Sequence, residues 1–359
     1  MNKLCKQLSI ESPGVVTQEC VFNTTVQVPE IPPNGALIKV ICAGACYRMQ
    51  KTPSLINTPE SPITCCGFRD GALFPGYEVS GIVEALGSES SNPEIQIGSR
   101  VVVYPYEDVP NGYPEFMVVP DLKYLIPIPN SMSLSVAAML PTGALLAKNA
   151  ILKVKEHYDE HERSKSGRVF KVLIVGTGGL ALWAVKIAEY YFKSPEYKDK
   201  IQITVACLND EGFYLNELKK VNLVQWNEEI FEEVLHERTL NACNGLVDVV
   251  IDFGTTSRSL LRSLQCLNRR GVVYVTHEVA ESLLPKFWKI LKEDQLFVCP
   301  IDDGTLSQLK DLIQTVARHD IIPPSHTEFP ADAASIVVKK LSQSEIQGRA
   351  ILRFHYDSQ

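Results

Sequence analysis

The stretch VLIVGTGGLA, residues 172–181, decides how the rest of this chain is read. Its first four residues form a continuous apolar run, as in a strand buried on both faces, and helix-forming residues follow as far as Tyr191. Between the two, Gly176 permits a tight exit from the strand. Gly178 lets the backbone approach a pyrophosphate with no Cβ in the way, and Gly179 opens a helix whose amides and dipole favour an anion. Ala181 stands where a third glycine is usual, a replacement that this fingerprint accepts. The turn therefore assigns Gly176, Gly178 and Gly179 to a dinucleotide phosphate site. The alternative is a tight turn kept for the fold alone.

Working outward, strands alternate with helices after this turn. Residues 201–208, 247–252 and 271–275 read as strands, with helices expected around 214–220 and over 257–267. That alternation predicts a parallel, doubly wound α/β sheet with right-handed crossovers. Before it, short apolar runs at 36–41, 80–85 and 100–104 are punctuated by Gly and Pro, as in a compact β domain. Ser133 reads as a helix cap, helical composition continues through 144–154, and the charged run 157–167 reads as an exposed loop or a frayed helix end. The tail from about Asp302 returns to helix and a last strand at 349–354. The expected domains are 1–140, 141–302 and 303–359.

Bulk properties narrow the function classes. A chain of 359 residues exceeds one ordinary core, and 45% apolar with 21% charged residues is the balance of a globular protein. The net charge of -7 and the scattered Lys and Arg give no footprint for nucleic acid. The most apolar stretch, 172–188, contains three glycines and Lys186, so a membrane span is not expected. Ten cysteines without a secretory leader suggest reduced thiols in the cytoplasm. At the end of the second strand Asn209 takes the place of the ribose-binding acid, while Asp210 and Glu211 would repel a 2′-phosphate. NAD(H) is therefore favoured over NADP(H).

Gly44-Ala45-Cys46-Tyr47-Arg48, Phe74-Pro75-Gly76-Tyr77-Glu78-Val79-Ser80-Gly81, Gly98-Ser99-Arg100-Val101, Gly112-Tyr113-Pro114-Glu115-Phe116, Leu140-Pro141-Thr142-Gly143-Ala144 and Gly348-Arg349-Ala350 follow one another in order along the chain. With the glycine turn, this series resembles the medium-chain dehydrogenase/reductase superfamily, and within it the zinc-type alcohol dehydrogenases. The resemblance implies an N-terminal GroES-like β domain, a Rossmann domain, and a C-terminal return to the first domain. It also implies an active site in the cleft between domains and, by family habit, a homodimer. Arg349 matches the family's pyrophosphate-contacting arginine; its alternative is a surface ion pair.

The same comparison implies that the catalytic zinc is not expected. Of the family's cysteine, histidine and cysteine ligands only Cys46 remains; the other two positions are Tyr77 and Thr142, and no histidine precedes His157. The usual proton-relaying hydroxyl residue is Arg48, and the cysteine-rich structural zinc lobe is absent. Adjacent Cys65 and Cys66 are poorly spaced to bind one ion together. Without zinc, such proteins deliver hydride to polarised double bonds, with a hydrogen-bond donor on the developing enolate. Tyr77 and Arg48 are the candidate donors; the packing alternative has Tyr77 filling the vacated cavity and Arg48 pairing with Glu78. Two classes stand: a zinc-independent NAD(P)H reductase of a small activated carbonyl or enone, and an inactive relative that binds a dinucleotide or a protein partner.

Overall fold

The computed structural model describes residues 4–10, 20–45, 76–106, 109, 112–163, 167–208, 215, 218–227, 229–254, 256–342, 345–346 and 348–355. The chain divides into two compact units, one of residues 1–143, 305–320 and 325–359, the other of 144–304 and 321–324. The first unit begins with β1 (Leu4–Ile10), β2 (Cys20–Gln27), β3 (Ala36–Gly44), β4 (Val79–Leu86), β5 (Arg100–Val103), β6 (Tyr113–Pro114), β7 (Phe116–Val119), β8 (Leu125–Pro127) and α1 (Leu134–Ala138). The second unit holds α2 (Leu145–Arg163), β9 (Phe170–Val175), α3 (Gly179–Tyr191), β10 (Ile201–Cys207), β11 (Asn222–Gln225), α4 (Glu232–Ala242), β12 (Val247–Asp252), α5 (Ser257–Gln265), β13 (Leu267–Val275), α6 (His277–Asp294) and β14 (Phe297–Pro300). The chain then adds α7 (Leu306–Ala317), β15 (His326–Pro330), α8 (Ala334–Ser342) and β16 (Arg349–Arg353) to the first unit.

In the first unit the main sheet runs β15-β16-β3-β4-β5-β8, with β7 also paired to β3. The C-terminal strand β16 lies antiparallel to β3, with Ile351 opposite Gly44 and Leu352 opposite Ala43. Eight of the nine residues of β3 are buried, so this strand sits centrally and carries apolar residues on both faces. Ser133 caps α1 as its sequence indicated, its hydroxyl accepting from Val136 N at 3.2 Å. Ser80 Oγ donates to Leu134 O at 2.6 Å, tying α1 to β4. A π-helical turn over Leu140–Ala144 follows α1.

The second unit carries a six-stranded parallel sheet, order β11-β10-β9-β12-β13-β14. The first three strands run outward one way and the last three the other, so the direction of winding reverses between β9 and β12. In such sheets ligands bind outside the carboxyl ends of the strands at that switch point. Every residue of β12 is buried, the four apolar ones and also Asp248 and Asp252 near its two ends.

One local reading is corrected. Residues 157–163, expected as a loop or a frayed end, continue α2 as regular helix to Arg163. Lys153–Glu156 and Lys155–Asp159 pairs, each at 3.0 Å, support the exposed side. Tyr158 anchors the other side: it is buried, its ring edge-on to Phe170 and Tyr197. One buried aromatic among charges gives little periodicity to read.

Candidate functional site

At the switch point of the second unit, the glycine turn links β9 to α3. Gly176 has φ of +115°, in the region where L side chains are strained, and directs the chain from β9 towards α3. Its N–H donates to Ala206 O at 2.9 Å, while Phe253 N donates to Val175 O at 3.1 Å, so the turn is held from β10 and from the end of β12. A Cβ on Gly176 would lie 3.8 Å from that of Ala181, which is why a small third residue suffices. Gly178 is the N-cap of α3 and makes no side-chain cap; Gly179 is the first helical residue. Gly178 has φ of -75°, open to any residue, and a Cβ there would meet no atom within 4 Å. Among the described residues, neither backbone strain nor packing calls for glycine at 178. The position lies at the positive end of a 13-residue helix, the kind of place that favours an anion.

The first unit carries a second cluster, built around Glu78. Its side chain is wholly buried just before β4. Thr142 Oγ1 donates to Oε1, Gly143 N donates to Oε1 at 3.2 Å, and Arg349 Nη2 donates to Oε2. Arg349 begins β16 and is itself only 6% exposed, so both partners of this ion pair are removed from water. A buried carboxylate without such partners would cost several kcal/mol. The neighbouring glycine is required here: a Cβ on Gly44 would run into the Glu78 carboxylate. Gly44 is fixed in turn, its N–H donating to Glu78 O at 2.9 Å and its carbonyl accepting from Tyr113 Oη at 2.7 Å.

These contacts redraw the expected roles. Among the described residues the cation paired with Glu78 is Arg349, so the guanidinium expected at a pyrophosphate neutralises a carboxylate of its own unit. Tyr77 is half-buried and packs against the apolar core of the first unit. Arg48, Cys46, Cys65, Cys66 and Asn209 lie outside the described residues. Among the described residues no three His, Cys, Asp or Glu side chains gather as a metal site would require. Burial pushes the thiols of Cys207 and Cys266 up to about 12, far from a nucleophile's range.

Sequence reasoning missed Asp252, which ends β12 beside the turn. It is 2% exposed and accepts from Gly254 N, Ser259 Oγ and Ser263 Oγ. The available signal was an acid closing an apolar strand, followed by a glycine and by serines four residues apart on one helix face.

A Rossmann unit with a glycine turn at its switch point and a β unit completed by the C-terminal strand make up the fold of the medium-chain dehydrogenase/reductase type. Known proteins are similar to this chain over nearly its whole length. The chain is 25% identical over 346 residues to YhfP of Bacillus subtilis (strain 168), named as a quinone oxidoreductase, covering 92% of this chain and 93% of that protein. It is 23% identical over 355 residues to a zinc-type alcohol dehydrogenase-like protein of Schizosaccharomyces pombe, covering 91% and 93%. The solved acetophenone reductase from Geotrichum candidum NBRC 4597, in complex with NAD, shares the fold with a TM-score of 0.64 at 14% identity, over 100% of this chain and 99% of that one. No family model matches the chain. No described helix is long and apolar enough to cross a membrane.

Proposed function

We propose that this protein is a zinc-independent, NAD(P)H-dependent oxidoreductase of the medium-chain dehydrogenase/reductase type, reducing a small activated carbonyl or enone-like substrate in the cytoplasm. The observation that carries the reading is Gly178, a glycine at a helix N-terminus where a Cβ would meet no atom of the described residues. A nicotinamide dinucleotide bound there would supply the hydride. Gly176 shapes the turn, and the free amides at the start of α3 receive phosphate oxygens. The names of the relatives support redox chemistry, and Asp210 with Glu211 favours NAD(H) over NADP(H).

Zinc independence is supported by the donor set. The Thr142 hydroxyl donates a hydrogen bond to Glu78, and Tyr77 offers a phenol packed on an apolar core. Neither is a cysteine or histidine, so the residues present do not fit the family's catalytic zinc. The test measures three quantities on the purified protein: thermal stability with NADH and with NADPH, oxidation of either with small enones and quinones, and zinc content. Binding only the native state must raise apparent stability. The expected outcome is stabilisation by NADH, turnover with an activated double bond, and no stoichiometric zinc. Stabilisation without turnover on any such substrate would favour an inactive relative, and one zinc per chain would overturn the metal-free reading.

A further inference from the structure

Asp252 is in register with Val175, the residue that leads into the phosphate turn. Ser259 Oγ lies 2.8 and 2.9 Å from its two carboxyl oxygens, Ser263 Oγ 2.9 Å from Oδ2, and Gly254 N 2.7 Å from Oδ1. The two serines are one helical turn apart on α5, so both hydroxyls face the strand end. Burial pushes the carboxyl up from its ordinary range, and the Ser259, Gly254 and Ser263 donors oppose that. The residues just before it, Val249, Val250 and Ile251, complete the sheet packing with apolar side chains alone. An acid at this depth is costly, so its position should answer to something other than core formation.

What the network fixes is the backbone beside the turn. Gly254 is drawn in so closely that a Cβ there would run into Ser259 Oγ and lie 2.9 Å from Asp252 Oδ1. Between Asp252 and Gly254, Phe253 donates its N–H to Val175 O, and its Cβ stands 3.7 Å from where a Cβ on Gly176 would be. We propose that Asp252, acting with Ser259 and Ser263, is a positioning residue for the dinucleotide: it locks Phe253 and Gly254 against Gly176, so the turn is held in its phosphate-receiving form before the ligand arrives. This rests on the dinucleotide reading above.

The same strand supplies its own control. Asp248, at the opposite end of β12, is 8% exposed and accepts from Arg168, from Asn268 Nδ2 at 3.0 Å and from Lys171 N at 2.9 Å. It is an equally networked carboxyl, but at the sheet end remote from the turn. The experiment titrates NADH by fluorescence into wild type, Asp252→Asn, Ser263→Ala and Asp248→Asn, well below each melting temperature, and measures KM for NADH and kcat. Loss of preorganisation equivalent to one charged hydrogen bond corresponds to roughly tenfold in affinity. Asp252→Asn and Ser263→Ala should raise Kd and KM for NADH by about that factor and keep kcat at saturation. Asp248→Asn should lower the melting temperature and leave Kd in place. Ser263→Ala, nearly isosteric, carries the test if Asp252→Asn does not fold. Unchanged NADH affinity in both turn-side variants, with stability lost as in Asp248→Asn, would reduce Asp252 to a structural role. Failure of the wild type to bind either dinucleotide would instead refute the dinucleotide reading, and this proposal with it.

Discussion

Breaking the Glu78–Arg349 pair should be among the most damaging single changes in the first unit. Arg349→Met removes the guanidinium and leaves a carboxylate that is wholly buried. Two donors remain on it, Thr142 Oγ1 and Gly143 N, so the penalty should fall near the lower end of the ~3–5 kcal/mol typical for an orphaned buried charge. Glu78→Gln leaves the cation without its counter-charge and should cost at least as much. In a unit of this size each kcal/mol shifts the melting temperature by roughly 2–4 °C, so a loss of the order of 10 °C is expected for either variant. The double variant Glu78→Gln/Arg349→Met buries no net charge. It should therefore be less destabilised than the sum of the singles by about 2 kcal/mol or more, a coupling within the range of contacting residues. Guanidinium unfolding, followed by a signal from the first unit, measures all four corners of the cycle. Single variants costing less than about 1 kcal/mol, or strictly additive ones, would show that the pair is not what neutralises this buried site.

Three further outcomes follow from the same geometry. Gly178→Val should fold as wild type, since its Cβ meets nothing, yet weaken NADH binding by about 10- to 100-fold as phosphate hydrogen bonds are lost; calorimetric titration reads both, and wild-type affinity would remove the cofactor site. Tyr77→Phe should leave NADH-dependent turnover unchanged because the packed ring is retained, whereas a ~10²–10⁴-fold fall would make the hydroxyl a proton donor. Glu232 is held below its ordinary value by hydrogen bonds from Arg262 and Arg258, so its stabilisation is present above about 4.5 and lost as pH falls through the lowered value. The gap in melting temperature between wild type and Glu232→Gln should accordingly be constant from neutral pH to about 5 and close in more acidic buffer.

Much of the fold was legible where its signals are local. Val172 to Val175 and the residues after Gly178 announce a strand and a helix within one stretch, and Ser133 announces a cap within four residues. The end of α2 was not, because a single buried Tyr158 among charged neighbours leaves the apolar periodicity too weak. The partner of Glu78 was hidden for a different reason. Arg349 lies 271 residues away and is delivered by the pairing of β16 with β3, a contact that local pattern cannot supply. Arg48, which the packing alternative paired with Glu78, lies outside the described residues.

Glycines show where a sequence stops informing and a structure begins. Gly44, Gly178 and Gly254 look alike in the chain, each beside a predicted strand or turn. Side by side they separate by what a Cβ would strike. At Gly44 it would strike Glu78, and at Gly254 the Ser259 hydroxyl, so both residues are explained by the protein's own packing. At Gly178 it would strike no atom of the described residues, and the backbone there is one that any residue can adopt. Glycine is an accepted N-cap, but Ser, Asn and Asp cap better because their side chains accept from the first helical amides. A glycine cap gives up that acceptor and leaves the amides uncovered by its own side chain. On the reading proposed above, a phosphate takes the acceptor's place, at a helix N-terminus on the switch point of a parallel sheet.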